Sequence, residues 1–389
     1  MNARDLAQIR RRLNADKRCP TRLLGCYMQD NGEILTTFEE DIYRLTDTEW
    51  AQYSALFKKV LTGTVGQQLH ELEFAAARVM EGEEHQLLRA LKEGELKDAE
   101  APEAFFQKVS ETIAEESRQA AQSVTEKQAA PNYLVLLLHD TWDVPYKDRL
   151  GDTDEDRSTQ VMQYVLCCVC PVKQQKTALC FAPGDGAFRA LEGAYAVEKP
   201  TYGFMYPAFA DGGADLYRAL YYTSGMETMH DAFVKAIFGQ EDMIPAAVQS
   251  ESFNEVLREA LEEECSLDVV KAMHESVSTM LEDRKADKNA EPLKLGRSAV
   301  RQMLTDCGVS RERADAFEEK YGETFGDYAE LPAVNLITPK QFKVEMPSVS
   351  IKVDPTRADL LETRQIDGKY YLLVPVDGDV EVNGVSVKL

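Results

Sequence analysis

Two apolar runs within Asn132–Phe181, Leu134 to Leu138 and Val161 to Val172, constrain this chain more than any other feature. Both fall short of the roughly 20 residues that a membrane-crossing helix needs, and both are rich in strand-forming residues. Apolar residues at consecutive positions suit strands that are buried on both faces. The runs therefore predict central strands of a sheet that helices must cover. The same stretch carries four of the eight cysteines, one of the five histidines and a group of aspartates.

A chain of 389 residues is longer than one ordinary core supports, so two or three domains are expected. The net charge of −23 opposes nucleic acid and anionic membranes as partners of the whole chain. A protein partner is the class left open. The charge is uneven: up to Arg22 there are seven basic and two acidic residues, so the remainder carries −28. That basic segment either docks as a helix on its own acidic body or serves as an arm that grips an acidic partner. No apolar run follows Met1, so neither a secretory signal nor a membrane span is expected, and the cysteines read as reduced cytosolic thiols.

In chain order, a helix is predicted from about Ala3 to Leu13. Asn31-Gly32 predicts a two-residue hairpin loop pairing Asp30 with Glu33, Met28 with Leu35 and Cys26 with Thr37. Thr46 with Glu49 forms a capping box ahead of the stripe Trp50, Tyr53, Phe57 and Val60. Residues 82 to 128 read as helix, with Phe105, Phe106, Val109 and Ile113 as the buried stripe. Tyr202 to Phe209 and Asp215 to Tyr222 read as strands. Ser224/Glu227 and Ser252/Glu255 read as further capping boxes, the second opening a helical region with an αα-hairpin at Ala299 to Tyr321. From about Val334, prolines and the dipeptides Asp367-Gly368, Asp377-Gly378 and Asn383-Gly384 predict strands, with a meander over Glu362 to Leu389. The segments are 1–128 (N-terminal helix, hairpin and helices), 129–240 (central β-rich core), 241–328 (helical region) and 329–389 (β meander). The fold class is α+β: a central antiparallel or mixed sheet with packed helices, a helical region and a C-terminal antiparallel β meander.

Seven separated motifs occur in order: AQIRRRLN from Ala7, Arg22 to Tyr27, HDTWDVP from His139, CVCPV from Cys168, GFMYPAF from Gly203, VDPTR from Val353 and EVNGV from Glu381. Through them the whole chain resembles the bacterial family catalogued as domain of unknown function 4317, found mostly in Gram-positive anaerobes. The resemblance implies a cytoplasmic bacterial protein and assigns no activity and no catalytic residue.

No phosphate loop, dinucleotide fingerprint, paired-histidine zinc helix or nucleophile elbow is present, and no cofactor or metal ligand set is expected. The best catalytic candidates are His139, Asp140 and Asp143 at the end of an apolar run, where a histidine beside carboxylates can act as a general base. The plainer reading makes His139 a satisfied core residue and the aspartates turn caps. Asp152, Asp154 and Asp156 match the start of a calcium loop that fails at Arg157 and Gln163. Cys168 and Cys170 share one face of a strand and Cys167 the other; a loop at Pro171 to Lys176 would set Cys167 opposite Cys180. The second helix of the αα-hairpin nets −1, which argues against DNA reading. Two functions follow as expectations: a non-catalytic protein that binds a partner through the tail meander or the basic arm, and, as the alternative, a hydrolase at His139, Asp140 and Asp143.

Overall fold

The computed structural model describes every residue except 124–130, 148–152, 183, 185, 192–193, 211, 242, 288, 339–340, 377, 379, 383 and 388–389. It separates into two units: Met1–Ala246 with Lys288–Glu291, and Ala247–Asp287 with Pro292–Leu389.

In the first unit the strands are β1 (Arg22–Met28), β2 (Ile34–Glu40), β3 (Leu69–Glu73), β4 (Asn132–Lys147), β5 (Thr153–Gln174), β6 (Ala178–Ala182), β7 (Ala187–Leu191), β8 (Tyr195–Val197), β9 (Tyr202–Tyr206), β10 (Ala208–Ala210), β11 (Gly213–Asp215) and β12 (Arg218–Thr223). Its helices are α1 (Ala3–Arg12), α2 (Asp47–Val60), α3 (Ala76–Glu81), α4 (Glu83–Glu93), α5 (Glu100–Ser123) and α6 (Asp231–Phe238). The two apolar runs are the middle of one antiparallel sheet, in the order β2-β1-β4-β5-β9-β12-β3, with β8 added along β5. Strand alternation sorts their side chains. Leu134, Leu136, Leu138, Cys168 and Cys170 join Ile9, Trp50, Phe57 and Val60 of α1 and α2 on one face. Val135, Leu137, Val165, Cys167 and Val169 join Leu88, Phe105, Val109 and Phe233 of α4, α5 and α6 on the other. Each fully buried large apolar side chain contributes on the order of 1.5–3 kcal/mol, which is why strands this apolar demand helices on both sides.

The capping box at Thr46 and Glu49 forms as read, with both reciprocal hydrogen bonds in place. Four local expectations are corrected. The hairpin after β1 keeps Cys26 opposite Thr37 but sets Met28 opposite Ile34 through a bulge. Its loop is closed by Gln29 and Glu33, while the Asn31 side chain accepts from the Glu33 amide. Gly32 sits at φ 86°, and a Cβ there would lie 2.6 Å from the Ser110 carbonyl oxygen, so the turn presses onto α5. Ser224/Glu227 caps nothing: α6 begins at Asp231 behind His230, and Tyr221 fixes the intervening chain by donating to the Met229 carbonyl. The helix predicted from Ser252 already begins at Ala246. Pro171 to Lys176 is not a hairpin loop. β5 runs on to Gln174 because Val172 pairs with both Asn132 and Val197. Cys167 therefore faces Leu137 and Phe204, and Cys180 pairs with Arg189. Cys167 does project from the face opposite Cys168 and Cys170. The Asp152, Asp154 and Asp156 side chains lie outside the described residues.

The second unit contains α7 (Ala246–Leu261), α8 (Leu267–Ala286), β13 (Lys294–Gly296), α9 (Arg297–Asp306), α10 (Arg311–Phe325) and β14 (Glu330–Pro332). Their core gathers Phe253, Leu257, Val277, Leu304, Phe317 and Tyr321. The αα-hairpin is α9–α10: its acidic second helix turns Asp315 and Glu318 onto Arg301 rather than outward. Beyond it lie β15 (Phe342–Met346), β16 (Val349–Val353), β17 (Glu362–Ile366), β18 (Lys369–Leu373), β19 (Val380–Val382) and β20 (Val385–Val387). The tail is strand-rich and antiparallel as expected, and its described residues pair as two-stranded hairpins, β15–β16, β17–β18 and β19–β20. Each hairpin joins sequence neighbours, so its tight turn is sufficient to set it up, and nothing in that local chemistry joins one to the next.

Candidate functional site

β4 carries His139, Asp140 and Asp143, and strand geometry disperses them. Adjacent residues point to opposite faces, so Asp140 leaves the sheet on the α1 side and His139 on the α4 side. Asp143 is solvent-exposed and four residues beyond His139, about 13 Å along the strand. The three never converge.

His139 is fully buried, and both ring nitrogens are taken. Nε2 lies 3.1 Å from the Lys92 carbonyl oxygen at the end of α4, and Nδ1 lies 2.8 Å from the Thr21 hydroxyl. A carbonyl only accepts, so the proton sits on Nε2 and Nδ1 receives the hydroxyl hydrogen. Burial pushes the imidazole pKa below its ordinary value, against the smaller raising effects of the Lys92 carbonyl, Glu95 and Asp140. A neutral ring with no free nitrogen is a bolt between β4, α4 and Thr21 just ahead of β1, and it has no lone pair to offer a substrate.

Asp140 is equally buried and equally engaged. Arg12, from the last turn of α1, grips both carboxylate oxygens, Nε at 2.6 Å and Nη2 at 2.8 Å, and also donates to the Thr141 carbonyl. The Tyr164 hydroxyl donates to the same carboxylate at 2.6 Å. The guanidinium carbon stands 5.4 Å from the centroid of the Trp142 ring. Burial works to lower the Arg12 pKa, but the bidentate bond and the charge of Asp140 outweigh it and raise the value. Burial, reinforced by Asp140, pushes Tyr164 far up as well. The basic helix is therefore docked on its own unit, with its amino terminus paired to Glu71 and Leu6 and Ile9 in the core.

A different histidine has the features that His139 lacks. His230 precedes α6 at φ 53°, a left-handed conformation uncommon outside glycine that collects at functional sites. Glu116 of α5 holds its Nδ1 at 2.9 Å, and its ring lies 4.1 Å from the buried Tyr202 ring. Among the described residues Glu116 is its hydrogen-bond partner, which leaves Nε2 open. The Tyr202 hydroxyl and the second Glu116 oxygen are buried without a hydrogen-bond partner in the structure. A carboxylate that fixes one imidazole nitrogen while the other stays open is the arrangement of an acid–base histidine. Sequence reading missed it because the Ser224/Glu227 cap put His230 inside a helix, and because Glu116 is one glutamate among many on a charged helix.

Among the described residues, no group of three or more His, Cys, Asp or Glu side chains is placed to hold a metal ion, and no helix is long and apolar enough to cross a membrane. Fold and site together define an α+β protein built on a helix-covered antiparallel sheet, with the buried His139 and Asp140 side chains bonded to neighbouring elements. Residues 1–385 match the family model described as a domain of unknown function, DUF4317, and the chain belongs to that family. No curated protein matches the chain.

Proposed function

We propose that this is a non-catalytic binding protein of the bacterial cytoplasm that engages a protein partner through its C-terminal hairpins. The observation that carries the reading is the β19–β20 ribbon. Val380 pairs with Val387 and Val382 with Val385, so four valines share one face. Val382 and Val385 are 52% and 63% exposed. Beside it in sequence, β17–β18 exposes Ile366, Tyr370 and Tyr371. A lone two-stranded ribbon is marginal in water, and an apolar face on such a ribbon gains most by packing on another chain. The net charge argues against nucleic acid, and eight unpaired cysteines accord with a reducing compartment. The basic arm is a poorer binding element, since Arg12 is already committed to Asp140.

The full chain carrying Val382→Asp and Val385→Asp tests the reading, because neither side chain supports the core. Tagged wild-type protein is expected to retain a protein from cell lysate that the double variant loses, as read by quantitative mass spectrometry. Identical sets from both would contradict it. The hydrolase reading ranks second. It moves from His139 to the Glu116–His230 pair, and no Ser, Cys or Lys side chain hydrogen-bonds to His230 among the described residues.

A further inference from the structure

Among the described residues, the face of the sheet packed by α1 and α2 is uncovered at one end. There, Tyr27, Leu35, Phe38, Leu134, Val172 and Val197 line a groove of about 660 Å³ that runs across β2, β1, β4, β5 and β8. Its other lining residues are Gln29, Thr36, Asn132 and Tyr195, so among the described residues no acidic or basic side chain lines it, in a chain of net charge −23. The hairpin β6–β7 leaves the sheet between β5 and β8, at the rim of this groove. On one face of that hairpin Leu179 pairs with Ala190 and Phe181 with Phe188, the two phenyl rings 5.5 Å apart. Leu179, Phe181 and Phe188 are 70%, 54% and 62% exposed.

We propose that two copies of this chain associate by placing the β6–β7 hairpin of each in the groove of the other. This inference stands apart from the tail reading. Among its described residues one chain carries both an uncharged apolar groove and an exposed, uncharged apolar hairpin face, and a two-fold axis satisfies both at once. The charge pattern favours a second copy as the occupant. Two molecules this acidic repel wherever carboxylates meet, and among the described residues this groove and hairpin face bring none together. The area suffices. An aromatic side chain buries about 150–250 Å² in full, so the exposed parts of Phe181, Phe188 and Tyr195 supply roughly 100 Å² each. With Leu179, Leu35 and Val197 the total is about 500 Å² per copy, or about 1,000 Å² for the pair before any polar rim, which meets the size of a biological interface.

Sedimentation of the full chain across a wide concentration range tests this. The expected result is a species of twice the 43.7 kDa chain mass. Phe181→Asp on the hairpin and Leu35→Asp in the groove, both at exposed positions and both checked for an unchanged circular dichroism spectrum, should each give a monomer. The Val382→Asp/Val385→Asp chain should stay dimeric, so failure of the tail reading is recorded separately. A monomer at every concentration, which would leave the groove to another protein or to a different segment of this chain, overturns the proposal. So does a dimer that survives both single variants.

Discussion

Replacing Arg12 with methionine is expected to destabilise the first unit by about 3–5 kcal/mol, the usual cost of removing one partner from a buried ion pair. Methionine preserves an apolar stem near Trp142, so the loss isolates the charge. Among the described residues Asp140 would then keep only the Tyr164 hydroxyl while fully enclosed. At about 2–4 °C per kcal/mol for a unit of this size, the midpoint of thermal unfolding should fall by roughly 10 °C. The triple variant Arg12→Met, Asp140→Leu, Tyr164→Phe removes every member of the network together. It should recover most of the loss, because replacing a buried ionic cluster with apolar residues is often neutral. Urea and thermal denaturation measure both. A single variant within about 1 kcal/mol of wild type would mean that the pair does not hold α1 to the sheet.

The sequence contained part of this. Strand alternation, which separates Cys167 from Cys168 and Cys170, applies equally to His139 and Asp140 and rules out a shared site on one face. The partner was not legible, since Arg12 and Asp140 are 128 positions apart and one arginine among three consecutive ones reaches the carboxylate. The apolar runs were legible as strands because burial on both faces leaves a compositional mark. Their neighbours were not, because β1–β4, β5–β9 and β3–β12 pair segments distant in sequence and no turn chemistry joins them.

Substituting Gly203 with alanine should cost about 3 kcal/mol, the upper end of the ordinary range for overpacking a core. Gly203 lies in β9 between Cys168 of β5 and Tyr222 of β12, and its α2-facing side is where Val60 comes down onto the sheet. A Cβ there would overlap the Cys167 carbonyl oxygen, stand 2.9 Å from Val60 Cγ2 and 3.1 Å from the Cys168 Cα. Two of those three atoms are backbone, so relief requires moving a central strand rather than turning a side chain. Gly308 is the control. A Cβ there meets nothing within 4 Å, but the residue sits at φ 94°, so alanine should cost about 1–2 kcal/mol in backbone strain. Urea unfolding of both variants checks the ranking, and a Gly203→Ala protein as stable as Gly308→Ala would contradict the packing. Sequence alone offers Gly203 as a strand glycine with no stated purpose. Only the approach of α2 and β5 supplies one.

Both ring nitrogens of His139 and both carboxylate oxygens of Asp140 are held by partners within the fold, and we propose that these residues fasten the sheet rather than carry chemistry. The ionisation of His139 tests it most directly. Its folded pKa lies below the ordinary 6.5 because burial disfavours the charged ring. Unfolded chains therefore bind the extra proton first, and the stability His139 confers is complete above about 6.5 and declines as pH falls below it. Nitrogen NMR of the imidazole in the intact chain, followed from about pH 8 to pH 5, should report a neutral ring protonated at Nε2 that titrates below the ordinary imidazole value. A His139 signal that titrates near neutrality with both nitrogens responding would contradict the account and return His139 to the list of acid–base residues.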